Sequence, residues 1–73
     1  MANILIIDDD VKIRTLIASY AKEDNHYAAV AESLTDGFEI AGFQLFDLIF
    51  LDVRLPDGNG LDALPKFKQM PPE

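Results

Sequence analysis

Asn3-Ile4-Leu5-Ile6-Ile7-Asp8-Asp9-Asp10 runs through four consecutive branched aliphatic residues and then stops on three carboxylates. An apolar run of this length, rich in β-branched side chains, suits a strand buried on both faces, as in a parallel sheet covered by helices. Phe46-Asp47-Leu48-Ile49-Phe50-Leu51-Asp52 has the same form, and it too ends on an aspartate. These two segments decide the fold, because the chain around them alternates between strand and helix.

After Asp10, a natural helix N-cap, residues Ile13, Leu16, Ile17, Tyr20 and Ala21 follow the spacing of one helical face. The spacing predicts a helix over Val11 to Asp24, closed by Asn25-His26. Tyr27 to Ala31 reads as a second strand. Ser33 or Thr35 caps a second helix running to about Phe43, softened by Gly37 and Gly42. Phe46 to Leu51 is the third strand, and Pro56, Gly58 and Gly60 mark the following segment as a loop. A third helix is expected from Leu61 to about Gln69, with Pro65 tolerable only near its first turn; Pro71-Pro72 then closes it. Phe38, Phe43, Phe46 and Phe50 are expected in the core, with Phe46 and Phe50 on one strand face. Three strands alternating with three helices imply an α/β fold with right-handed crossovers.

Composition sets outer limits. Seventy-three residues make one small domain, burying only about 60% of the surface its unfolded chain exposes. The apolar fraction of 49% is enough for a real core. No cysteine is present, which excludes disulfides and thiolate metal sites. A net charge of −7 argues against direct binding to nucleic acid and against an anionic membrane surface. With no spanning apolar run and no basic leader at Met1-Ala2-Asn3, the expectation is a soluble, cytoplasmic protein.

In an open parallel sheet, ligands bind beyond the carboxyl ends of the strands, where strand order reverses. If the first and third strands are neighbours, about 4.8 Å apart, then Asp8, Asp9 and Asp52 crowd into one pocket. Carboxylates held so close repel one another unless a cation shares the site. Magnesium suits the donors, since it takes oxygen ligands and typically uses one or two carboxylates plus a phosphate. A carboxylate beside such an ion can act as a nucleophile toward phosphorus. A lone strand-terminal aspartate is most often only a cap or turn former. Asp10 is read that way; the other three together are not.

Ile4-Leu5-Ile6-Ile7-Asp8-Asp9-Asp10, together with Asp47-Leu48-Ile49-Phe50-Leu51-Asp52-Val53-Arg54-Leu55-Pro56-Asp57-Gly58-Asn59-Gly60, resembles the response-regulator receiver domains of two-component signalling. The segment Asp52 to Lys68 further resembles receivers of sigma-54-dependent transcription activators. The resemblance implies a flavodoxin-like parallel sheet, here of about three strands in the order 2-1-3 with flanking helices. It matches Asp52 to the phosphoacceptor, and Asp9 to the direct magnesium ligand beside Asp52 and the main-chain carbonyl of Arg54. Asp8 matches the residue that holds the ion through water, and Pro56 and Gly60 match the loop around the acceptor. The implied phosphoryl donor is a histidine kinase.

Receiver domains have five strands, a Thr or Ser after the fourth and a Lys after the fifth. Residues 1–73 therefore match a partial receiver domain, and Lys66 and Lys68 do not stand for that lysine. The 47–51 strand is expected at a sheet edge, where pairing with another copy would give a homodimer or higher oligomer. Two alternatives to the phosphoacceptor reading were weighed. One is a truncated, non-signalling half-domain that chiefly oligomerises. The other is a magnesium-dependent phosphohydrolase, disfavoured because such enzymes usually carry Asp-x-Asp after the first strand; an acceptor that phosphorylates itself is not a multiple-turnover enzyme. His26 is read as a surface residue, Tyr20 as a helix-face residue, and the Arg54 side chain as either phosphate-facing or solvated.

Overall fold

Alternate residues of Asn3–Ile7 (β1) face opposite sides, and both sides are covered, so Ile4 to Ile7 are all buried. In the computed structural model, which describes residues 1–69, β1 is the centre of a parallel three-stranded sheet. Tyr27–Ala31 (β2) pairs along one side and Leu48–Leu51 (β3) along the other, giving the order β2-β1-β3. That is the expected 2-1-3 arrangement, and the strand order reverses between β1 and β3.

Val11–Glu23 (α1) covers one face, where Ala21, Ile17 and Ala18 pack against Ile4 and Ile6. Leu34–Ala41 (α2) and Gly60–Gln69 (α3) cover the other. There Leu34, Ala63 and Phe67 close over Leu5, Ile7 and Ala31. The Phe67 ring stacks on Phe38, centroids 4.3 Å apart and planes 21° from parallel, which locks α3 to α2. Gly37 allows close packing here: a Cβ there would fall 2.5 Å from Cδ1 of Ile7, whose side chain would have to shift. Among the described residues, no helix is long and apolar enough to cross a membrane.

Capping follows the sequence closely. Asp10 accepts from the N–H of Lys12 at 2.9 Å, and Ser33 rather than Thr35 is the N-cap of α2. Asn25 takes the left-handed conformation (φ 64°) just past α1, a role Asn fills at helix ends without much strain. Residues 24 and 42–43 fall outside the helices predicted to include them.

Five expectations need correcting, three of them before Asp52. Ile13, Leu16 and Tyr20 are exposed, although they share the predicted apolar face of α1. The helix lies over β1 and β2, so the side of it nearer β3 has nothing beneath it, and Leu48 and Phe50 on that face of β3 are exposed for the same reason. Phe43, beyond the end of α2, is 81% exposed. Phe46 precedes β3 and packs with Leu5 and Ile7, on the opposite side of the sheet from Phe50. The strand is shortened because Asp47 leaves the ladder to clamp β1: its N–H donates to the Asn3 carbonyl at 2.7 Å while its carboxylate accepts from the Asn3 N–H at 2.8 Å.

The fourth and fifth corrections lie beyond Asp52. The predicted loop contains a short antiparallel hairpin, Arg54–Leu55 (β4) with Gly58–Asn59 (β5), turned by Pro56-Asp57. Pro65 sits in the interior of α3, which begins at Gly60 and continues past it. The burial of Ala63 and Phe67 on either side of Pro65 outweighs the missing backbone donor. The predicted Pro71-Pro72 stop lies outside the described residues.

Candidate acidic metal and phosphoacceptor site

Parallel pairing of β1 with β3, Ile7 opposite Leu51, brings the residues that follow each strand side by side. The Asp52 N–H donates to the Ile7 carbonyl at 2.9 Å, and the Asp8 N–H donates across to Ala31 of β2 at 3.0 Å. The sheet thus fixes the backbone of both aspartates at the switch point. Asp8, Asp9 and Asp52 each offer a carboxylate oxygen, and these atoms all lie within 4.8 Å of one another. Asp8 and Asp52 are half-buried and Asp9 is exposed, so the cluster opens to solvent.

The donor set fits a hard divalent cation. All three ligands are oxygens, and oxygens on opposite sides of one magnesium are about 4.2 Å apart. The three carboxylate oxygens, within 4.8 Å of one another, lie close to that span. One Asp8 oxygen, Oδ1, accepts the N–H of Asp10 at 2.9 Å, which orients the carboxylate.

Arg14 was not singled out by its position in the helical pattern, yet it belongs to the site's frame. Its Nη1 donates to the Asp8 carbonyl at 2.7 Å. One guanidinium thereby holds the turn after β1. The only sequence signal was its place one turn after the Asp10 cap.

Arg54 follows Asp52 on β4, and its N–H reaches back to the Asp52 carboxylate at a long 3.4 Å. The hairpin is closed beneath by Gly60, whose N–H donates to the Val53 carbonyl at 2.7 Å. Any Cβ on Gly60 would collide with the Asp52 carbonyl oxygen. Glycine here is a condition for bringing the start of α3 against the end of β3.

At the hairpin's turn, Asp57 accepts from the N–H of Leu34 and of Thr35 at 2.8 Å, and from the Thr35 hydroxyl at 2.7 Å. The Thr35 hydroxyl, then the two α2 N–H groups, hold its carboxyl below the usual carboxylate range. Asp62 and Lys66 of α3 line the same cleft. Since the folded state favours the ionised form, the stability from these bonds is complete above the unfolded pKa and is lost as pH falls below it and through the lower folded pKa. The thermal midpoint of the wild-type chain is therefore expected to drop below about pH 4. Asp57→Asn should flatten that part of the profile, as followed by circular dichroism.

Two residues lie away from the site, as read. The His26 Nδ1 accepts the Ala2 N–H at 2.8 Å and so anchors the start of β1. The Lys66 ammonium sits 5.9 Å from the Phe38 ring centroid, on α3 rather than among the carboxylates.

Comparison with known proteins agrees with this geometry. Residues 4–73 match the family model described as the response regulator receiver domain. The chain is 35% identical over 69 residues to the KDP operon transcriptional regulatory protein KdpE of Escherichia coli K12, covering 94% of this chain and 31% of that protein. It is 33% identical over 72 residues to the DNA-binding transcriptional regulator NtrC of Azospirillum brasilense, covering 99% of this chain and 15% of that protein. Among solved structures, it superposes on the non-phosphorylated HemR receiver domain from Leptospira biflexa with a TM-score of 0.87 at 27% identity. That match covers 96% of this chain and 56% of the other. The chain thus spans about a third or less of these two curated relatives.

Proposed function

The chain belongs to the response regulator receiver domain family, and from that membership we propose that it is a phosphoacceptor module whose acceptor is Asp52. The convergence of the Asp8, Asp9 and Asp52 oxygens within 4.8 Å, at the ends of adjacent parallel strands, carries this reading. Asp9, Asp52 and the Arg54 carbonyl would hold magnesium, with Asp8 acting through water. The bound ion would offset negative charge between the acceptor and an incoming phosphoryl group.

The protein's own groups supply the rest. An Asp52 carboxylate oxygen attacks phosphorus in line with the donor's phosphorus–nitrogen bond. The new oxygen–phosphorus bond gives an aspartyl phosphate, and the electron pair of the broken bond stays on the donor imidazole. A phosphohistidine of a histidine kinase is the donor that family membership implies. The product is stored rather than turned over, so the module is not a multiple-turnover enzyme. The likeness to NtrC supports the narrower kinship with receivers of sigma-54-dependent activators. A structural half-domain that merely keeps the pocket has less in its favour, because the acidic cluster is open to solvent and is framed by Arg14 and the hairpin.

Incubation with acetyl phosphate tests the proposal. Acid-labile phosphate should appear on the wild-type chain with magnesium and disappear when the ion is chelated. A chain that stays unmodified in magnesium would count against it.

Self-association through β3 belongs to the same proposal. Leu48 and Phe50 are exposed on this edge strand of the described sheet, and exposed apolar edges invite pairing. Sedimentation should show a dimer or larger species at tens of micromolar, on the order expected for weak interfaces. A single monomeric boundary would remove the edge-pairing idea.

A further inference from the structure

We propose that Asp57 is a positioning residue for the acidic site, holding the hairpin that carries Arg54 by capping α2 from the hairpin's turn. This rests on the reading of the Arg54 carbonyl as a metal ligand.

The hairpin has two residue pairs, Arg54 with Asn59 and Leu55 with Gly58. A ladder this short has little stability of its own in water, so its position has to come from anchors. Leu55 packs against the core, and the Asn59 side chain accepts the Leu61 N–H at 2.7 Å. Among the described residues, every hydrogen bond found from residues 54–59 to a partner outside residues 52–61 runs through Asp57. Without it, the packing of Leu55 is the hairpin's remaining tie beyond neighbouring chain.

The α2 end supplies a fixed target. Three N–H groups of its first turn lack partners within the helix, at Leu34, Thr35 and Asp36. Ser33 serves Asp36, and Asp57 serves the other two from 22 and 23 residues away. A carboxylate at a helix N-terminus gains both charge-assisted hydrogen bonds and the favourable end of the helix dipole. The Asp57 tie is therefore strong for an exposed residue, and it points along one direction only. Magnesium tolerates little error in ligand distance, so a displaced hairpin misplaces the Arg54 carbonyl.

The competing account is that Asp57 only stabilises α2. Ser33→Ala separates the two, since it removes a cap from the same helix without touching the hairpin. Asp57→Ala, Asp57→Asn and Ser33→Ala are compared in the cold, on the full chain with wild-type circular dichroism. Amide exchange over Arg54–Asn59 is read without metal, and magnesium affinity by calorimetry. Asp57→Ala should speed exchange there about tenfold and weaken magnesium about tenfold, as expected for loss of an outer support. Asp57→Asn, which keeps one acceptor oxygen, should fall between, and Ser33→Ala should match wild type in both readouts.

Equal behaviour of Asp57→Ala and Ser33→Ala overturns the proposal, as does faster exchange with unchanged affinity, which would make the tie purely structural. A wild-type chain that binds no magnesium overturns the metal role of Arg54 and with it Asp57's effect on the site. That result is distinguishable, because the exchange comparison still shows whether Asp57 holds the hairpin.

Discussion

Asp52→Asn is expected to take up no acid-labile phosphate under conditions that modify the wild-type chain, with its fold intact. The substitution keeps the shape and an acceptor oxygen for the Arg54 N–H, which reaches Asp52 at 3.4 Å. It removes the nucleophilic carboxylate and one of three negative charges gathered within 4.8 Å. Like charges at that distance repel by roughly 1 kcal/mol per pair even in water. The metal-free variant should therefore melt no lower than wild type, and by up to a few degrees higher. The two readouts work together: lost phosphate with an unchanged or raised melting midpoint assigns the loss to chemistry. Phosphate retained by the variant, located by mass spectrometry at Asp8 or Asp9, would displace Asp52 as acceptor.

Gly60→Ala is expected to have the largest effect on stability. The added Cβ would lie on the Asp52 carbonyl oxygen, 2.9 Å from the carbonyl carbon and 3.2 Å from Cγ of Leu51. Two of these three atoms are backbone of Asp52, whose own N–H is tied to the Ile7 carbonyl, so they cannot swing aside as a side-chain tip would. Gly60 is also held from the other side by its bond to the Val53 carbonyl. Overpacking of this kind costs about 1–3 kcal/mol, a large share of what a domain this small can hold. The melting midpoint should fall by about 8 °C or more, or the cooperative transition should vanish. Gly42→Ala is the control. Gly42 is exposed, with ordinary helical backbone at the end of α2 (φ −76°), so alanine there should be neutral or slightly stabilising. Equal destabilisation by both would remove the close-approach argument at Gly60.

The sequence alone was enough for the strand buried on both faces and the order of alternation, and it implied the meeting of Asp8, Asp9 and Asp52 once the family resemblance set the first and third strands side by side. These rest on local signals: an unbroken apolar run has to be covered on both faces, and parallel strands put their carboxyl ends together. Caps such as Asp10 and Ser33 were legible for the same reason, since each bonds within three residues of itself. What periodicity left open was which side of an apolar element has a neighbour. Ile13, Leu16 and Tyr20 share a helical face with Ile17 and Ala21, and only the placement of α1 over β1 and β2 exposes them. The tertiary structure alone decided the parts of the site that depend on distant partners. Asp57 reads as a turn residue within Pro56-Asp57-Gly58, and Arg14 as one more solvated charge on a helix. Their carboxylate and guanidinium find Leu34, Thr35 and Asp8 only when the sheet has formed. A hydrogen bond spanning 23 residues leaves no mark in local spacing. The acidic cluster was therefore written in the strands, and the frame that holds it was written in the packing.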